Sequence, residues 1–266
     1  MTSSTDGDLQ DPGFDGAAGL AMAALLTAMS GRAVPFAGPA RPMTRRGVQQ
    51  ACAVIGTDEA TLWLMLEGRA CGFFGDRRPQ IVFERHLFSA RTGGAFDGVA
   101  PAVSNPRPGG YRRGSGEYGR LGMAMSLDRR AALESTVWGI GRVPGEAAAA
   151  AGYADVEAMV QAHMQSEDAQ LAAFAQLAAR RVAAPAAHEV RAPFKACSAP
   201  DLDVREAQLG LVLLGYAGDT LVDGVLGGRT RTALRKFQQD EGLSPATGAL
   251  DERTVLRIRT RTGWSV

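Results

Sequence analysis

Lysine is nearly absent from this chain: Lys195 and Lys236 stand alone among 29 basic residues, the rest being arginine. Against 28 acidic residues the formal net charge is +1. No whole-chain field therefore selects nucleic acid as a partner. Cysteine is scarce too. Cys52, Cys71 and Cys197 are odd in number, irregularly spaced and without a CxxC pair, which argues against a disulfide framework in a chain of 266 residues. The histidines, His86, His163 and His188, form neither HExxH nor another ligand spacing, which argues against a zinc hydrolase. No metal or organic cofactor is expected.

Long apolar runs are missing as well. Residues 17–29, AAGLAMAALLTAM, fall short of the roughly 20 needed to span a bilayer. The acidic MTSSTDGDLQDPGFD stands where a secretory signal carries positive charge. We expect residues 1–16 to be disordered and 17–30 to form a helix that packs on the protein or on a partner. No stable membrane insertion is expected, and the chain reads as made in the cytoplasm without a signal peptide.

What is present is ordinary globular material, 45% apolar and 21% charged. Pro35, Gly38, Pro39 and Pro42 punctuate the approach to RRGVQQACAVIGTDEATLWLML, which reads as two helices broken at Gly56. Thr57 is a suitable N-cap for the second. A Gly-, Pro- and Ser-rich stretch at 92–116 predicts a long surface loop, and helices are expected over 117–136 and 155–181. Residues 181–201 have the small, Pro-containing composition of a linker.

The C-terminal piece carries an internal repeat. DGVLGGRTRTAL at 223–234 aligns without a gap on TGALDERTVLRI at 247–258, so Gly224 matches Gly248 and Thr230 matches Thr254. Each copy follows a helix that ends in a Gly turn, which predicts a small bundle with leucines at helical spacing in a shared core. The pattern VREAQLGLVLLGY…VDGVLGGRTRTALRKFQQDEGL…TGALDERTV resembles the peptidoglycan-binding domain of cell-wall hydrolases, a three-helix module. The resemblance implies where the protein goes, with bacterial peptidoglycan as its partner.

Upstream, Glu67 ends the apolar run WLML and is followed at once by glycine. The blocks around it, Gly72-Phe73, RRPQIVFERHLF, Ser104-Asn105 and EYGRLGMAMSLDRRAALESTVWG, resemble the phage-type N-acetylmuramidase domain of modular endolysins. GYADVEAMVQAHMQSEDAQLAAFAQL completes the likeness, which implies a lysozyme-like helical fold and Glu67 as general acid. The residue chemistry agrees: protonating a glycosidic oxygen near neutral pH needs a carboxylic acid held protonated by apolar neighbours or a helix C-terminus. Glu84, set in IVFERH, is the leading second carboxylate, although an arginine ion pair would explain it equally well. Asp76 and Glu134 follow. His86, Asn105, Trp138 and Arg142 are expected to bind substrate.

The expected architecture is all-α: an extension at 1–43, a muramidase-like domain at 44–180, a linker at 181–201 and a peptidoglycan-binding module at 202–266. The expected activity is hydrolysis of the β-1,4 bond between N-acetylmuramic acid and N-acetylglucosamine by a monomer that reaches the wall through a holin or a secretion machine. Two other classes stay open: a non-catalytic peptidoglycan-binding protein, and a virion-associated structural protein docking through residues 17–30.

Overall fold

A computed structural model describes residues 36–66, 71–112, 114–183, 200–218 and 222–264. Glu67 and the expected helix at 17–30 lie outside the described residues, as does most of the expected linker.

The first helix, α1 (Arg45–Ile55), begins where Thr44 Oγ1 accepts from Gly47 N at 3.0 Å and stops at Gly56, whose φ of 76° is left-handed. Helix α2 (Glu59–Leu66) follows. Its cap is Asp58 and not Thr57: Asp58 Oδ1 accepts from Thr61 N at 2.7 Å, a reach of three residues that suits an N-cap. That bond and the Thr61 hydroxyl hold the Asp58 carboxyl below its ordinary pKa.

Three short strands form an antiparallel sheet in the order β1 (Ile81–Phe83), β2 (Thr136–Trp138), β3 (Val143–Pro144). Ile81 pairs with Trp138, and Trp138 with Val143. Around it lie α3 (Arg85–Arg91), α4 (Glu117–Leu127), α5 (Arg129–Glu134), α6 (Val156–Gln165) and α7 (Glu167–Ala183). The helix expected over 117–136 is thus two helices and a strand. Asp128 ends α4 and caps α5 through Ala131 N at 2.8 Å, so the chain turns there.

The C-terminal helices are α8 (Leu202–Leu213), α9 (Gly228–Asp240) and α10 (Glu252–Thr262). Their repeat is visible in atoms. Gln208 Oε1 accepts from Gly224 N at 2.7 Å, while its Nε2 donates to Val225 O and Thr230 Oγ1. Gln238 does the same for Gly248 N, Ala249 O and Thr254 Oγ1. Gly224 and Gly248 have φ of 73° and 76°, a backbone that glycine adopts without steric cost.

The apolar interior falls into three clusters. One packs the sheet against α3 to α6 through Phe83, Phe88, Tyr118 and Trp138. A second joins α1, α2 and α7 through Val48, Leu66 and Leu171, and includes Leu202 of α8. The third fills the C-terminal bundle with Leu209, Leu234, Phe237 and Trp264, and includes Ala40 and Phe73. The amino- and carboxy-terminal parts therefore share core residues. Phe36, Ala40 and Met43 are buried, so residues 36–43 belong to the body and not to a free extension.

Candidate active site

The carboxyl end of β1 opens on a cavity of about 430 Å³ lined by Phe74, Gln80, Ile81, Glu84, Tyr111 and Arg142, among others. Glu84 occupies the N-cap position of α3 but makes no side-chain capping bond. Its carboxylate is left to the cavity, four-fifths buried, where Tyr111 Oη donates to Oε2 at 2.9 Å and His86 Nδ1 stands 3.3 Å away. Burial, with the bonded Glu84 charge, pushes the Tyr111 phenol up, so near neutral pH it remains a donor.

Arg142 enters the same cavity from the turn between β2 and β3. Its φ of 52° is unusual for a residue with a side chain. Glu84 and Arg142 are thus brought together, and His86 adjoins them. Beyond Tyr111 lies a second cavity of about 710 Å³, walled by Ala102, Gly110, Arg120 and Met123 and sharing Tyr111 and Arg112. Tyr111 is 52% exposed and stands between the two.

Other expected site residues have other duties. Trp138 is fully buried, donates to Leu133 O at 3.2 Å and meets Phe36 edge-on at 5.8 Å. It is a core residue, and the expectation of substrate contact is corrected. Asn105 Oδ1 accepts from Arg107 N at 2.9 Å, which turns the loop; Asn105 lines neither cavity. Asp76 is bound by Arg78 in its own turn, and Glu134 is paired with Arg130 at 2.8 Å and Arg91 at 3.7 Å. The arginine partner considered for Glu84 is replaced by a tyrosine and a histidine.

Three features were missed in the sequence. Tyr111 carried a signal, being a large aromatic in a Gly- and Pro-rich loop. Glu117, 2% exposed, lines the first cavity and accepts from Phe83 N at 3.1 Å, from Arg112 N and from Arg120 Nη1 at 3.0 Å. Arg120 in turn donates to Phe83 O, Ala102 O and Gly109 O, tying the long loop to β1.

The third feature fixes the chain beyond Glu67. Gly72 N donates to Glu167 Oε1 at 2.9 Å, and Gly72 O accepts from Gln80 N at 2.8 Å and from Gln170 Nε2 at 3.2 Å. A Cβ on Gly72 would lie 2.3 Å from Gln170 Oε1, so Gln170, which also accepts from Ile140 N, would have to shift. Upstream, Leu66 is buried at 1% exposure.

Comparison with known proteins adds to this geometry. The N-acetylmuramidase family model matches residues 63–192, and the model for a putative peptidoglycan binding domain matches residues 200–258. The crystal structure of the Burkholderia AP3 phage endolysin is similar, with a TM-score of 0.50 and 26% identity over 89% of this chain and 75% of that one. No curated protein matches. A lysozyme-like helical body thus lies over the N-acetylmuramidase match and a helical bundle over the peptidoglycan binding match that follows it.

Proposed function

We propose that the protein hydrolyses the β-1,4 bond between N-acetylmuramic acid and N-acetylglucosamine in peptidoglycan, with Glu67 as general acid. The observation that carries the reading is the cavity beside β1. It offers a largely buried carboxylate, Glu84, with its own hydrogen-bond donor, inside the span matched by the muramidase family. Glu67 lies in the same span, directly after the buried Leu66.

In this mechanism the Glu67 carboxylic acid gives its proton to the glycosidic oxygen as the bond to the anomeric carbon breaks. Positive charge develops on the sugar ring, and Glu84 either stabilises it, attacks it or activates the water that adds to it. The separation of the two carboxylates selects among these: about 5–5.5 Å for retention and about 6.5–9.5 Å for inversion. Arg142 lines the approach, His86 stands beside Glu84, and Tyr111 offers an exposed ring face on which a sugar stacks. The C-terminal module holds the enzyme on the wall and so raises the local substrate concentration. We assign delivery to the wall to a holin or a secretion machine.

The test is release of reducing ends from purified peptidoglycan, which reports glycan and not amide cleavage. Glu67→Gln keeps the shape but removes the proton, and turnover should fall by about 10²–10⁴-fold with wall binding intact. Full activity in Glu67→Gln would place the acid elsewhere. A wild type that pellets with sacculi yet releases nothing would make the chain a non-catalytic wall-binding protein.

A further inference from the structure

The second cavity, beyond Tyr111, is not used by the reaction proposed above. Its wall is mostly bare. Ala102 and Gly110 line it from the long loop, and Gly116, Gly119 and Met123 line it from α4. Spacings of three and four residues put these last three on one face of the helix.

Gly119 is the informative member. It lies in the first turn of α4 with a helical backbone, so no turn requires a glycine there. A Cβ built on it would meet nothing within 4 Å, so no neighbour excludes a side chain either. A glycine within a helix lowers its stability relative to alanine. Neither the backbone nor the packing calls for one at this position, and its effect is to leave the cavity open.

The wall also carries an unmatched cation. Arg120 is spent inside the protein: it pairs with Glu117 at 3.0 Å and donates to Phe83 O, Ala102 O and Gly109 O. Arg112 is exposed, forms no ion pair among the described residues, and has its backbone pinned by the bond from Arg112 N to Glu117. No acidic side chain lines this cavity. Tyr111, which parts it from the first cavity, is braced on both sides. Its hydroxyl donates to Glu84, and the Arg120 guanidinium lies 5.9 Å from its ring centre.

Peptidoglycan is not a bare glycan. The lactyl group of N-acetylmuramic acid carries a peptide stem that opens with alanine and bears a free carboxylate on the next residue. A glycan stacked on Tyr111 has the second cavity on its far side, where such a substituent can lie. We propose that the second cavity is a stem-peptide site: the open wall at Gly119 takes the small residues at the root of the stem, and Arg112 pairs with a stem carboxylate. The proposal rests on the muramidase reading of the first cavity and adds the part of the substrate that a bare glycan lacks.

The experiment uses the full chain and two soluble glycan oligomers of equal length, one with its stems intact and one stripped of them by an amidase. Wild type should cleave the intact oligomer with a kcat/KM about tenfold higher, the yield of one small apolar contact and one exposed ion pair. Gly119→Leu fills the cavity from a position that tolerates a side chain. It should bring the ratio close to one by slowing cleavage of the intact oligomer alone. Arg112→Gln should lower the ratio by about fivefold, the worth of an exposed ion pair. If Gly119→Leu does not fold, Arg112→Gln is read in its place.

Equal kcat/KM for the two oligomers in the wild type, or an unaltered ratio in the folded variant, would overturn the stem site and leave the hydrolase reading standing. If the wild type cleaves neither oligomer, the hydrolase reading fails and binding decides the stem site. The dipeptide L-alanyl-γ-D-glutamate should then shift the amide resonances of Gly110 and Met123 in the wild type, and less in Arg112→Gln. Because these amides lie at the cavity, binding to the C-terminal module does not move them. Unshifted resonances would reject the proposal.

Discussion

The two domains solve one problem in two chemistries. Each must hold irregular backbone inside a buried environment. The C-terminal bundle does so with neutral amides: Gln208 serves Asp223, Gly224 and Val225, and Gln238 serves Gly248 and Ala249. The domain matched by the muramidase family has one such amide, Gln170, and adds carboxylate–arginine pairs, Glu117 with Arg120 inside the domain and Glu167 with Arg205 across to its neighbour. An amide offers donors and an acceptor without charge, so little is lost on burial beyond its water contacts. A buried ion pair must be desolvated and is costly to break once one partner is removed.

The sharpest break in this comparison is Glu117→Ala. It leaves Arg120 buried without its counter-ion and Phe83 N without an acceptor. Loss of one partner from a buried pair costs about 3–5 kcal/mol. Thermal or urea unfolding of the full chain should show a loss of that size, with the loop at 101–112 the first region to exchange. A loss below about 1 kcal/mol would mean that Glu117 is no support.

Next in size are the amides. Gln208→Ala leaves the N–H groups of Asp223 and Gly224 without their acceptor, whereas Gln238→Ala strands that of Gly248. At about 1–3 kcal/mol for each buried unsatisfied group, Gln208→Ala should be the costlier of the two. Equal losses measured by urea unfolding would show that the pseudo-repeat is energetically symmetric despite its unequal bonding.

These devices differ in how far the sequence discloses them. The break at Gly56, the loop at 92–116 and the repeat around Gly224 and Gly248 were legible because turn chemistry and periodicity are local. The glutamine cages were not. Gln208 reaches Gly224 over 16 residues and Gln238 reaches Gly248 over 10, so the glutamines do not share the register of the repeat they support. The pair Glu167–Arg205, 38 residues apart across the linker, left no periodic trace. Of the residues that line the cavity, Glu84 stood out in the sequence as an acid among β-branched and aromatic neighbours, whereas Arg142 was singled out only through the family resemblance. Trp138 was misassigned because its place in a family motif says nothing about burial. Its ring fills the space between Leu133 and Phe36.

Acid should separate the domains by a smaller, graded effect. His163 on α6 is fully buried beside the Tyr153 ring, with no hydrogen-bond partner for either ring nitrogen. Burial lowers its pKa from 6.5 to about 3. The folded form therefore refuses a proton that the unfolded chain takes up below pH 6.5. Its contribution is fully present above pH 6.5 and is lost as pH falls toward about 3, at up to ~1.4 kcal/mol per pH unit. His163→Leu should flatten the acid limb of stability against pH by one proton, read from urea unfolding at pH 7 and pH 4.5. An unaltered slope would remove His163 from the account.

The smallest expected effect on stability, and the one that tests the cleft, is at Tyr111. Its hydroxyl gives the donor that holds Glu84, yet half of the residue is exposed. A bond at such a surface contributes little to folding, so Tyr111→Phe should change stability by no more than about 0.5 kcal/mol. If Glu84 takes part in the reaction, removing that donor frees its carboxylate to rotate. Turnover on peptidoglycan should then drop by up to about tenfold, the equivalent of ~1.4 kcal/mol, with KM hardly altered because the ring remains. Tyr111→Ala removes the ring as well and should raise KM, since the sugar loses its stacking face between the two cavities. A rise in KM in Tyr111→Ala without a kcat loss in Tyr111→Phe would make Tyr111 a binding surface only. It would also take Glu84 out of the chemistry, leaving Glu67 to act with water alone.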